Sequence, residues 1–289
     1  MAWNATASDL EASAPSGLAI QRGYGARLVT RASSGVPSGV AYAARSLGVT
    51  TTYASALTAV AVLLATMRPH ERELVVSQMS TNLHNLAHGR LSVLVSSAFV
   101  TGSDGIFLGL PGLICLLALG ELAWRGRGLI VAFTVGHIGA TLIVAAGLAA
   151  TLEAGLLPIS IVRATDVGIS YGAVGVLGAL TASIPSRWRS TWVGWWIGAA
   201  LAAALGADFT ALGHMFALLL GMALSWWLPP IERWTPVRKV LLAAGCTFGY
   251  FLIAGWSTSA LAGGAVGALL MSAVLLRGRT AGYEPHPTA

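Results

Sequence analysis

Charge is what this sequence has least of: Asp, Glu, Lys and Arg make up 10% of its 289 residues, against roughly 25% in an average soluble domain. With 55% hydrophobic residues and a mean hydropathy of +0.73, this shortage excludes an ordinary soluble globular protein. No polar module interrupts the apolar segments for more than about forty residues, which excludes a separate soluble domain. Cysteine is nearly absent too, with two copies. Cys115 and Cys246 both lie inside apolar runs without metal-ligand spacing, so neither a disulfide framework nor a zinc site is supported. No apolar run of signal-peptide type stands near Met1, and the first span is expected to double as the insertion signal.

What is present is a series of apolar stretches of about 17 residues or more, each long enough to cross a hydrocarbon core of about 30 Å. They predict spans at 49–67, 105–123, 128–150, 167–184, 192–206, 208–228, 240–256 and 258–276, of which the fifth, Trp192 to Gly206, is shorter than the rest. The expected fold class is all-α, a polytopic transmembrane helical bundle of about eight spans whose partner throughout is the lipid bilayer. A tail, 1–48, precedes the membrane domain 49–276, and a second tail, 277–289, follows it. Arg22, Arg27 and Arg31 fall in a segment that suits either an anionic inner leaflet or a disordered tail.

The isoelectric point near 9.9 invites a nucleic-acid reading, but the cations sit in short connections between apolar runs, and no basic face alternates with aromatics. They act as topology signals instead. With the N-terminus inside, Arg22, Arg27, Arg31, Arg45, Arg125, Arg127, Arg187, Arg189, Arg233, Arg238, Lys239, Arg277 and Arg279 are cytoplasmic. Only Arg68, Arg72, Arg90 and Arg163 are outside, so the 17 cations divide thirteen to four. The same count resolves 240–276 into a hairpin turning near Gly255 to Ser259, because one helix of that length would run about 55 Å and place Arg277 and Arg279 outside. Both termini are then cytoplasmic. Trp124, Trp188, Trp192, Trp226, Trp227 and Trp234 cluster at inner span ends, as an aromatic belt does. Gly263 and Gly267 form a GxxxG suited to close helix packing.

The outer connection 68–104 is long for a compact chain and is expected to carry helices of its own or to act as a lid. It contains Asn82, His84, Asn85 and His88, followed by a stretch apolar enough to dip into the membrane. Two further segments concentrate chemistry. DVGISYGAVGVLGAL places Ser170 near the outer end of the fourth span among Gly168, Gly172, Gly175 and Gly178, while ADFTALGHMFALLLG places His214 near the outer end of the sixth, with Gly221 after it. At 1.5 Å rise per residue, Ser170 lies about 5 Å and His214 about 9 Å below the outer boundary, so the two can meet at one depth. A serine hydroxyl becomes nucleophilic when a neutral imidazole takes its proton. Singly, the serine reads more readily as a packing residue, whereas an intramembrane histidine is costly to leave idle.

These residues resemble the rhomboid family of intramembrane serine proteases, which carries GxSG in its fourth core helix and a His followed by Gly in its sixth. Gly168, Ser170, Gly175 and Gly178 match the first pattern, His214 and Gly221 the second, and Glu121 resembles the acidic residue that closes the family's second helix. The resemblance spans roughly residues 50–228, a six-helix core to which the C-terminal hairpin is added. It implies a Ser170 nucleophile, a His214 base and cleavage of a transmembrane substrate near the outer face, with no metal or cofactor. Site support is expected from Gly168, Tyr171 and the Ser170 backbone N–H. The departures are Tyr171 in place of the second glycine of GxSG, Leu108 and Gly112 where the second helix usually shows HxxxN, and Val174 where an aromatic one turn after the serine supports the histidine. Losing an oxyanion donor costs ~10²–10³ in rate, so His84, Asn85 and His88 are the candidate substitutes. A rhomboid-like pseudoenzyme that binds membrane-protein clients, or a subunit of a membrane complex, is the alternative. A small transporter is not supported, since neither a charged path nor paired broken spans are evident. His137, near the middle of the third span and roughly 10 Å deeper than Ser170, reads as a structural hydrogen-bond partner, with proton handling as the alternative. Asp166 and Asp208 read as helix caps.

Overall fold

The computed structural model describes residues 47–100, 106–205 and 209–281. They belong to one compact unit, Ser46–Ala289. Among the described residues every regular element is helical. In chain order these are α1 (Gly48–Thr66), three short helices α2 (Pro69–Met79), α3 (Leu83–Ala87) and α4 (Val93–Ser96), then α5 (Ile106–Thr134), a π-helical turn Val135–Gly139, α6 (Ala140–Glu153), α7 (Ser170–Ala179), α8 (Ser186–Ala204), α9 (Phe209–Leu224), α10 (Pro236–Ala254) and α11 (Thr258–Ala281). Local chemistry sets several of the starts. Pro69 and Pro236 stand in the first turns of α2 and α10, where the missing N–H is no loss. The Asn82 side chain caps α3 by accepting from Asn85 N–H at 2.8 Å, and Thr235 caps α10.

Three helical stretches are long and apolar enough to cross a membrane: Gly48–Thr66, Phe107–Glu153 and Pro236–Ala254. The middle one has 47 residues, which would run about 70 Å if straight. It is not straight, because Arg125 breaks it with φ 60°. A Cβ placed on Gly120 would stand 3.1 Å from Leu129 Cδ1, a contact impossible across nine residues of continuous helix, about 13.5 Å of rise. The chain reverses there, between the spans expected at 105–123 and 128–150. Phe209–Leu224 and Thr258–Val274 are shorter apolar helices. The protein is an all-helical integral membrane protein.

The helix α7 is the centre of the bundle, with every residue from Tyr171 to Ala179 buried. Its glycines admit neighbours at backbone distance: a Cβ on Gly175 would meet Gly136 Cα at 2.6 Å, and one on Gly178 would collide with the Leu218 carbonyl of α9. The hairpin α10–α11 packs as two separate arms. In α10, Phe248 fills a notch at Gly109 and Gly112 of α5, and Gly249 backs onto Leu177 of α7. The other arm lies along α8, Gly263 against Gly198 and Gly267 against Gly194, with Thr191 Oγ1 and Ser272 Oγ 2.8 Å apart. The expected close packing at Gly263 and Gly267 is met by a second GxxxG, Gly194–Gly198, which the sequence reading did not single out.

Candidate functional site

The long connection after α1 carries α2, α3 and α4 and turns back into the bundle. Tyr53, on the second turn of α1, donates its hydroxyl to Ala98 O at 2.6 Å, and Val93, Ser97, Ala98 and Val100 are buried. This segment meets the stretch leading into α7 at two places. Gly168 N–H donates to Ser97 O at 2.9 Å. Farther back, Thr81 N–H donates to Asp166 O at 2.9 Å, the Thr81 hydroxyl reaches Asp166 O and Oδ2 at 2.9 and 3.1 Å, and Asp166 N–H donates to Ser80 Oγ at 2.8 Å. The expected role of Asp166 as a helix cap is corrected: residue Ile169 precedes α7 and no side-chain cap is present, while the carboxylate engages Thr81. Burial pushes the Asp166 carboxyl up to about 6, against the opposing pull of the Thr81 and Tyr171 hydroxyls. Asp208 lies outside the described residues.

Ser170 is the first residue of α7 and is half-buried; His214, on the second turn of α9, is buried at 7% exposure. Among the described residues, Tyr171 packs against the imidazole. Its ring stands edge-on to that of His214, centroids 5.4 Å apart at 80°, and Gly213 is the residue that leaves room for it, since a Cβ there would collide with the phenol. Among the described residues no hydrogen bond links Ser170 to His214. The Ser–His hydrogen bond that does form is between Ser97 Oγ and His137 Nε2, 3.2 Å and buried.

His137 therefore has the structural partner expected of it, although its depth is corrected. Its neighbour Gly136 packs between Tyr171 O and Gly175, so the histidine lies beside the first turns of α7 and not a further 10 Å down. The reason is that α7 starts only at Ser170, after the chain has already entered the bundle. The π-helical turn that carries His137 is a form frequent at functional sites.

The candidate oxyanion donors are distributed as follows. Gly168 adopts φ 126°, a conformation that favours glycine, and its N–H is taken by Ser97 O. Asn85 is buried and its amide donates to Ser77 O and Ser80 O at 3.0 and 2.8 Å, so it organises the loop. The rings of His84 and His88 lie against each other tilted at 47°, with centroids 4.3 Å apart, and His88 Nδ1 is 2.7 Å from His84 O. Leu108 is 91% exposed, and Gly112 is covered by Phe248. Glu121 has a role the sequence did not disclose. Buried at 5% exposure, it accepts Val49 N–H at 2.9 Å and Thr50 N–H at 2.7 Å, capping α1 from the end of α5's first arm. Among the described residues no group of three His, Cys, Asp or Glu could hold a metal ion.

A family model described as rhomboid-like protein matches residues 41–229. The chain belongs to the rhomboid-like family. No curated protein and no solved structure matches it. The rhomboid-like match covers α1 through α9 and ends before α10, so the arms that fill the Gly109–Gly112 notch and line α8 are additions to the matched region.

Proposed function

We propose that this rhomboid-like protein is a pseudoenzyme that binds membrane-protein clients without cleaving them. The observation that carries the reading is the edge-on packing of Tyr171 against His214. In the family pattern the aromatic that supports the histidine stands one turn after the serine. With Tyr171 in that role, the nucleophile's place is four residues earlier, at Val167, and Gly168 after it is the second glycine of GxSG. Valine has no atom that can attack a carbonyl. The rest of the site agrees with this assignment, since Gly112 is covered by Phe248 and the Asn85 amide is spent on loop carbonyls, which leaves the usual oxyanion donors without counterparts.

The second reading is proteolysis near the outer face by Ser170 with His214 as base. It is favoured by the position of Ser170 at the start of α7, beside the residue that touches His214. One experiment separates the two. Purified full-length protein is treated with a fluorophosphonate and, in parallel, co-expressed with tagged single-span reporters. The expected result is no labelling of cooperatively melting protein, together with reporters that co-purify uncut. Labelling of Ser170 that is lost in His214→Ala would overturn the pseudoenzyme, because only a base-activated hydroxyl attacks phosphorus at a useful rate.

A further inference from the structure

We propose that the cleft between α8 and α9 is a binding site for an anionic phospholipid. It encloses about 740 Å³, is lined by Thr181 and Ala182 beside Arg189, and opens at the end of the bundle where Trp226 stands 86% exposed. Its mouth holds one cation, Arg189, with Ser190 beside it; its walls are Val193, Ile197 and Leu219. From Arg189 to Ile197 the cleft follows about 12 Å of helix. One end is thus cationic and hydroxylated, and the remainder is aliphatic.

The occupant follows from the surroundings of each part. Ile197 and Leu219 are 36% and 38% exposed on helices of a membrane protein, so what fills the aliphatic part is hydrocarbon. At the mouth, the Arg189 guanidinium donates through Nη2 to Ala182 O and Ile184 O, both at 3.2 Å. Those two carbonyls hold the side chain in place at the mouth and leave its other nitrogens for an acceptor of the headgroup. No acidic residue lines the cleft. Outside the cleft, the same end carries Arg187, Arg233, Arg238 and Lys239 beside Glu232, none of which lines it, with Arg238 Nη1 bonded to Arg233 O and Nη2 to Leu122 O. A basic pocket between spans at the headgroup level suits a phosphodiester with a net negative charge, and the exposed Trp226 ring belongs at that level. A zwitterionic lipid offers the same chains but cancels the charge that Arg189 meets.

Binding is read from thermal melting of the full-length protein in mild detergent titrated with phosphatidylglycerol or phosphatidylcholine, and from native mass spectrometry of retained lipid. The expected result is saturable stabilisation and one retained molecule with phosphatidylglycerol, and neither with phosphatidylcholine. Arg189→Gln should weaken retention about fivefold, the worth of one interfacial cation. Ala223→Trp, which fills the cleft and breaks no hydrogen bond, should abolish it while the lipid-free protein still melts cooperatively. Arg233→Gln removes an equal charge outside the cleft and should leave retention unchanged. Equal retention of the two lipids, or an equal loss in Arg233→Gln and Arg189→Gln, would overturn the site in favour of general surface attraction.

Discussion

Two carboxylates show how this protein uses its few charges. Glu121 accepts two backbone N–H groups at the start of α1, groups that would otherwise have no partner inside the helix. Glu121→Ala leaves one buried and one half-buried N–H without an acceptor and should lower stability by about 3 kcal/mol, with Glu121→Gln losing about half as much because one oxygen remains. Thermal melts in detergent check the order. Asp166 behaves in the opposite sense. The folded protein keeps a proton on it up to about pH 6, whereas the unfolded chain releases it near 3.9. Its contribution to stability is therefore fully present below about pH 4 and is lost as pH rises through 6. Asp166→Asn should be more stable than the parent at pH 7, by on the order of 2 kcal/mol, and should lose the decline between pH 4 and 7. Parallel melting curves for the two proteins across that range would mean that another group titrates.

At the scale of the element, α8 and α11 form a joint with no side chains between them at its centre. Gly194 and Gly198 face Gly267 and Gly263, and an added Cβ at any of the four would strike the opposing backbone. Gly267→Ala should cost about 1–3 kcal/mol, and Gly267→Leu should detach α11 while leaving the region matched by the family intact. Limited proteolysis would then cut near Trp256 to Ser259, where Gly255 already turns the chain at φ 56°. Packing at Gly263 and Gly267 was legible because small residues at i and i+4 imply close approach wherever they occur in a span. The reversal at Arg125 was legible for a different reason, since two apolar runs flanking a short cationic stretch cannot share one bilayer crossing. What was not legible is the phase of α7. Periodicity tells that DVGISYGAVGVLGAL is a buried helix, but the serine's place depends on which residue meets His214, and one residue of error turns the face by about 100°. That is why Tyr171 read as a departure from GxSG when the structure puts it against the imidazole. The segments Ser80–Thr81 and Ser97 escaped notice because their partners, Asp166, Gly168 and His137, lie far away in sequence.

For the whole molecule, the governing feature is the separation of charge between the two ends of the bundle. Trp124 Nε1 donates to Pro229 O at 3.2 Å and Arg238 reaches Leu122 O, so the turn at Arg125, the segment after α9 and the start of α10 gather at one end. Arg187 and Arg189, at the start of α8, carry the same sign and fall in the same group of thirteen that the sequence places inside. Moving such a cluster across the bilayer is disfavoured during insertion, whereas the group that the sequence places outside, Arg68, Arg72, Arg90 and Arg163, is smaller. In a variant with Cys115 and Cys246 replaced by Ala, a cysteine at Ser77 on α2 should react with an impermeant maleimide in intact cells. One at Ser186 on α8 should react only after the membrane is permeabilised. The pair is diagnostic because each position is the other's control for access and reactivity. Reaction at Ser186 from outside, with Ser77 protected, would invert the molecule and move the Ser80–Thr81 contacts with Asp166 to the cytoplasm. Reaction of both from outside would overturn the eight spans expected from the sequence, at a point between α2 and α8. Protection of Ser77 together with normal behaviour of Ser186 would mean that the connection after α1 is immersed over its whole length, and the same reagent applied to Ser92 and His88 variants would then map how far it enters.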